Sequence, residues 1–233
     1  MEHAHIVALR AVALALGDLL PQVVFVGGAT VGLYATALAV PEPRPTDDVD
    51  CIIDLASYAQ FTELEERLRH RGFQHDQESG IQIRWRWKDT ATETYTVDIM
   101  PADGGVVLGS TVNRWYKSGM ANSQRYILPM LGPEIMLLDA PHFIATKLEA
   151  MKGRATDLRW SQDWEDIIYV LETRRELLDE VQQAPETLQQ FISSSFTALL
   201  SHPEMNEWLE AVHDPASSLS VLWQRCQALG ALR

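Results

Sequence analysis

The feature that most constrains this chain is a change of period near residue 140. From Pro141 onward apolar residues recur at helical spacing, which predicts helices over 141–153, 161–172, 174–182, 186–200, 204–212 and 216–229. Before that point, short apolar or alternating runs are punctuated by Gly and Pro, the mark of strands mixed with helices. At 233 residues the chain is too short for two large domains and suits one domain with an appendage, or one large domain. The expected fold is therefore α+β (mixed α/β). Residues 1–139 would form a small mixed sheet with flanking helices, and residues 140–233 an all-α domain.

Within the first part, a helix is predicted over 5–20, stopping before Pro21. Val23–Val26 is a fully apolar run ending in Gly27-Gly28, as in a buried strand that turns sharply, and helical spacing resumes over 29–39. Pro41, Pro43 and Pro45 make a rigid loop before a second strand, Asp48–Ile53, and a helix over 58–71. A hairpin follows. Ile81, Ile83, Trp85 and Trp87 alternate with Gln82, Arg84, Arg86 and Lys88. The return strand over 93–100 sets Tyr95, Val97 and Ile99 on one face, and Thr94, Thr96 and Asp98 on the other. Short segments with turn signals fill most of 103–138, with a strand pair at 126–128 and 135–138.

Nineteen basic against 32 acidic residues give a net charge of −13, which argues against a surface that coats nucleic acid or anionic lipid. A local groove is still compatible. Arg84, Arg86 and Lys88 share a strand face, which reads either as a nucleic-acid track extended by Arg114, Lys117 and Arg125 or as a solvated face. The two cysteines, Cys51 and Cys226, have no ligand spacing and read as reduced thiols of a cytoplasmic protein. The apolar run over 12–16 is far short of the ~20 residues that span a bilayer, so no membrane partner is expected.

Three carboxylates carry the chemistry. Asp48 and Asp50, two apart on a strand, leave the same sheet face and repel each other unless a cation neutralises them. Hard oxygen donors select Mg²⁺, with Mn²⁺ as the alternative. Asp98 lies on another strand; if the two strands are neighbours, three carboxylates converge on a site for two divalent ions. The Gly27-Gly28 turn, between a strand and a helix N-terminus, reads as an anion cradle. In the C-terminal part, Lys147 and Arg154 share one helix face and Asp163 and Asp166 another, which by spacing alone suits a surface salt-bridge network.

The run Val26-Gly27-Gly28-Ala29, followed by Arg44-Pro45-Thr46-Asp47-Asp48-Val49-Asp50, resembles the signature of the DNA polymerase beta-like nucleotidyltransferase superfamily. Lys147-Leu148-Glu149-Ala150, then Arg154, then Gln162-Asp163-Trp164-Glu165-Asp166-Ile167 is similar to its AbiEii/AbiGii toxin-type branch, the type IV toxin–antitoxin enzymes. The resemblance covers roughly residues 20–170. It implies that Asp48 and Asp50 bind metal and that Asp98 is a third ligand or the base for the attacking hydroxyl. It further implies that Gly27, Gly28 and Thr46 line the triphosphate and that Lys147 neutralises its β- or γ-phosphate. Asp163 would position Lys147 or the nucleotide, and Arg154 would bind the nucleotide. The implied reaction is attack of an acceptor hydroxyl on the α-phosphate of an NTP. The cleft between the two parts would hold Mg–NTP, a tRNA 3′ end would be the acceptor, and a cognate antitoxin a partner. Two other readings stand beside it: an enzyme modifying small molecules (antibiotics) or proteins (AMPylation), and a non-catalytic nucleotide-binding module.

Overall fold

An uninterrupted apolar tetrapeptide is stable as a strand only where both faces are covered, and Val23–Val26 (β1) is buried along its whole length. In the computed structural model, which describes residues 3–37, 41–55, 57–77, 83–88, 93–103, 112–154 and 157–232, β1 lies inside a seven-stranded mixed sheet. The other strands are β2 (Asp48–Ile53), β3 (Gln74–His75), β4 (Arg84–Lys88), β5 (Thr94–Pro101), β6 (Gln124–Ile127) and β7 (Glu134–Leu137). Their order is β3-β4-β5-β2-β1-β7-β6. Strand β2 runs antiparallel to β1 and parallel to β5, and β7 runs parallel to β1. The two predicted hairpins are present as β4–β5 and β6–β7; residues 81 and 82 of the first, and the turn at Gly104-Gly105, lie outside the described residues.

The chain divides into two units, residues 1–30 with 45–139, and residues 31–44 with 140–233. The first holds the sheet with α1 (Ala4–Leu16), α2 (Tyr58–His70) and α3 (Tyr116–Ala121). The first helix ends four residues earlier than its apolar spacing suggests. Gly17 takes φ 53° and the chain tightens into a 3₁₀ segment, Gly17–Gln22, that contains Pro21. Taken together, Ala4–Gln22 is long and apolar enough to cross a membrane by length and composition, unlike the short run read from sequence. Here Leu9, Val12, Leu16 and Leu19 are fully buried in the fold. Helix α3 falls where only short turn-rich segments were expected; its Tyr116 and Met120 pack on Val24, Val26, Ile52, Met100, Met136 and Leu138.

The second unit contains α4 (Ala140–Arg154), α5 (Gln162–Thr173), α6 (Leu177–Gln183), α7 (Glu186–Leu200), α8 (Met205–Val212) and α9 (Leu219–Gly230). Phe143, Ile144, Trp164, Ile167, Ile168, Ile192, Phe196 and Leu209 form its core, each with no exposed surface. Ser161 caps α5 by accepting from Trp164 N at 3.2 Å, and the Trp164 indole N–H donates to Trp208 O at 3.3 Å. The helix expected over 29–39 is instead a seven-residue 3₁₀ segment, Gly28–Tyr34. An α-helix would turn the Thr36 and Ala37 N–H groups inward, whereas both donate to Thr173 O, at 3.0 and 2.9 Å.

Candidate active site

The site in the sheet unit is a product of register. Parallel pairing sets Asp50 beside Asp98 and Asp48 beside Thr96, antiparallel pairing sets Arg84 across from Asp98, and Val26 lies across from Asp50. One row across four strands therefore reads Arg84, Asp98, Asp50, Val26, with side chains on one face. Two residues further along β2 and β5, the same face becomes apolar at Ile52 and Met100, covered by α3. Asp98 itself is 7% exposed. Val49, Cys51, Val97 and Ile99 fill the opposite face, as the alternation predicts.

Asp48, Asp50 and Asp98 each present a carboxylate oxygen within 4.8 Å of the others. Bare repulsion at that spacing is ~3 kcal/mol per pair at an effective dielectric near 20, so the cluster requires a counter-charge. Part of it is supplied by Arg84, whose strand face the sequence leaves open between a nucleic-acid track and a solvated surface. Arg84 Nε donates to Asp98 Oδ1 at 2.7 Å, Nη2 to Asp98 Oδ2 at 2.7 Å, and Nη2 to Asp48 Oδ2 at 3.3 Å. The hydrogen bond to Asp98 raises the Arg84 pKa; burial opposes it, and the charges of Asp98, Asp48 and Asp50 add to it. Three carboxylates against one guanidinium leave the cluster net negative. Its hard oxygen donors suit a divalent cation such as Mg²⁺ or Mn²⁺. Burial first, then the charges of Asp50 and Asp98, push the neighbouring Cys51 thiol well up.

Gly27 and Thr46 serve this cluster directly. Thr46 Oγ1 donates to Asp48 Oδ1 at 3.1 Å. Gly27 has φ 75°, and a Cβ there would sit 2.7 Å from Asp50 Cγ and 2.8 Å from Asp50 Cβ. The space a side chain would fill is thus taken by the Asp50 carboxylate, and Thr30 Oγ1 closes the turn on Gly27 O at 2.8 Å. Gly28 opens a short 3₁₀ segment rather than the long α-helix whose dipole was expected to cradle phosphate. Gly27→Ala is expected to cost about 1–3 kcal/mol from the left-handed backbone alone, and to displace Asp50. A thermal melt together with the metal titration used below checks both effects.

Three other basic residues of that candidate track face a carboxylate: Arg86 and Asp76 at 3.3 Å, Lys117 and Asp103 at 3.5 Å, Arg125 and Glu134 at 3.5 Å; Arg114 lies over the Trp115 ring. Trp85 lies behind the row, 1% exposed.

In the helical unit, Lys147 on α4 reaches Asp163 Oδ1 at 3.1 Å and Asp166 Oδ2 at 2.6 Å on α5. Sequence spacing allowed a surface salt-bridge network; the observed one is buried, with the Asp166 side chain 1% exposed. Arg154 is mostly exposed and only approaches Asp163, at 3.5 Å. Sequence reasoning assigned no role to Arg44, yet its Nε and Nη2 grip the two oxygens of Asp166 at 2.9 and 3.0 Å. Its place in the Arg-Pro-Thr-Asp run, beside the acidic pair, was the signal available. Burial pulls the Lys147 pKa down, but the charges and hydrogen bonds of Asp166 and Asp163 outweigh it, and the net shift is upward. The stabilisation from this ammonium is therefore complete below the ordinary lysine pKa of about 10.4 and is lost as pH rises through the higher folded value. Melting temperature is expected to stay flat in this term through neutral pH and fall above pH ~10.4, with that fall reduced in Lys147→Met.

No protein-family model matches the chain, and no curated protein sequence matches it. Among solved structures, it is similar to the crystal structure of an antigenic nucleotidyltransferase-like protein from Paracoccidioides brasiliensis. The TM-score is 0.54 at 15% identity, over 91% of this chain and 94% of that one. A protein from H. pylori provisionally assigned as a nucleotidyltransferase aligns with a TM-score of 0.48 at 13% identity, over 97% and 90% of the two chains. The chain thus has the fold of a nucleotidyltransferase-like protein.

Proposed function

We propose that this protein is a metal-dependent nucleotidyltransferase that moves a nucleoside monophosphate from an NTP to an acceptor hydroxyl. The observation that carries this is the convergence of Asp48, Asp50 and Asp98 within 4.8 Å on one sheet face, in a fold shared with a nucleotidyltransferase-like protein. Asp48 and Asp50 would hold the cation, and Asp98 would complete the ligand set or accept the proton of the attacking hydroxyl. When bound, Mg²⁺ or Mn²⁺ supplies neutralisation of the charge that develops on the transferring phosphate. Thr46 orients Asp48, and Gly27 leaves room for Asp50. Gly27 and Gly28 would border the phosphates; for Lys147, aligned by Asp163, and for Arg154, a nucleotide-binding role is supported by the family resemblance alone.

The resemblance to toxin-type enzymes supports an RNA 3′ end as acceptor and an antitoxin as partner. The ion pairing of Arg86, Lys117 and Arg125, on a chain of net charge −13, favours a protein or small-molecule acceptor instead. Incubation with NTPs labelled at the α-phosphate, Mg²⁺, and separate RNA, protein and small-molecule fractions distinguishes these. The expected result is label in one fraction, lost in Asp48→Ala. Absence of transfer with every NTP, together with absence of Mg–NTP binding, overturns the reading.

A further inference from the structure

Resting on the nucleotidyltransferase reading, we propose that Arg84 competes with the divalent cation for Asp48 and Asp98, so that cation binding requires the guanidinium to leave. Both oxygens of Asp98 accept from Arg84 at 2.7 Å, and Asp48 Oδ2 accepts from the same Nη2 at 3.3 Å. Since Arg84 holds both oxygens of Asp98, whichever one a cation bound by the cluster used is already engaged. A guanidinium and a dication on one set of oxygens repel each other strongly in a half-buried site.

Arg84 is built to move. Its neighbour Trp85 is 1% exposed and fixes the strand, while the Arg84 side chain is 25% exposed. Its long stem lets the head group leave without moving β4. Arg86, on the same face, pairs instead with Asp76 at 3.3 Å. Released from Asp98, the Arg84 guanidinium is a planar donor fork suited to an incoming phosphate. Arg84 then acts as a positioning residue that keeps the carboxylates from repelling one another before loading, and it makes cation and nucleotide binding mutually supportive.

The test is Mn²⁺ binding to the full-length protein without nucleotide, followed by the free Mn²⁺ spin-resonance signal. Arg84→Met is expected to bind Mn²⁺ at least about tenfold tighter than wild type, with Arg84→Lys in between. Without metal, Arg84→Met should melt below wild type and gain more from added Mn²⁺. In the wild-type protein, the Arg84 Nε–H resonance, protected by Asp98, should disappear on titration with Mg²⁺; this measurement needs no variant to fold. Equal or weaker Mn²⁺ binding in Arg84→Met, or an Nε–H resonance unmoved by saturating Mg²⁺, overturns the proposal. If that occurs while label transfer persists, only the role of Arg84 falls. If neither protein binds Mn²⁺ with or without NTP, the nucleotidyltransferase reading falls with it.

Discussion

Replacing Asp50 by Asn is expected to abolish nucleotidyl transfer, by about 10³-fold or more, without lowering the melting temperature of the metal-free protein. The two halves of this outcome have one cause. Asp50 stands beside Asp98 in the parallel β2–β5 pairing and within 4.8 Å of both other carboxylates. In the absence of a cation its charge is a repulsive load on the cluster, so a neutral side chain of the same shape relieves strain. With substrate present, the same charge is what draws and aligns the metal, and a 10³-fold loss corresponds to about 4 kcal/mol of transition-state stabilisation. A residue that merely held the sheet together would show the opposite pattern. Activity above a tenth of wild type in Asp50→Asn, measured with α-labelled NTP, would sink the assignment. Thr46→Val, which removes only the hydroxyl on Asp48, should cost far less, about tenfold.

The second large effect is on stability and lies in the helical unit. Asp166→Asn removes the charge shared by two cations, Lys147 at 2.6 Å and Arg44 at 2.9 Å, from a side chain that is 1% exposed. Breaking such a buried pair by deleting one partner costs about 3–5 kcal/mol, because the remaining charges stay desolvated. For a chain of this length that is about 6–20 °C in melting temperature. The exposed pair Arg159–Asp157, at 2.8 Å, is the control; solvent screens it, so its removal should shift the melting temperature far less than the loss of the Asp166 charge. Equal melting temperatures for the Asp166 and Asp157 variants would show that the buried network contributes nothing special.

Where the sequence spoke clearly, it did so through local periodicity. The apolar run of β1, the Asp-x-Asp alternation of β2 and the two faces of β5 each follow from which side chains can be wet, and the structure keeps them. Helix α2 closes close to where Gly72 suggested, with that glycine at φ 87°. What local pattern does not encode is register across long connections. Nothing in the residues around Arg84 sets it opposite Asp98 rather than one pair along, and that offset decides whether it faces solvent or the carboxylates. Arg44 and Asp166 are 122 residues apart, beyond the reach of any spacing rule. The 3₁₀ segment Gly28–Tyr34 was misread as a longer helix for a related reason. Its apolar spacing is helical enough, but the acceptor that takes the Thr36 and Ala37 N–H groups is Thr173, far along the chain. Gly27 was legible as a turn; that its missing side chain makes a seat for Asp50 was not.

The assignment of residues 31–44 to the helical unit has a consequence for how this chain is made and how it can be cut. Tyr34 packs on Phe143 with ring centroids 4.5 Å apart, Arg174 donates to Tyr34 O at 2.9 Å, and Arg44 needs Asp166. During synthesis this segment leaves the ribosome more than a hundred residues before those partners exist. A chain severed at residue 139 would part Arg44 from Asp166 and Tyr34 from Arg174 and Phe143, leaving Lys147 beside Asp166 in the released half. No single scission therefore separates the two units, because residues 31–44 of the helical unit are inserted within the chain of the unit that bears the carboxylates.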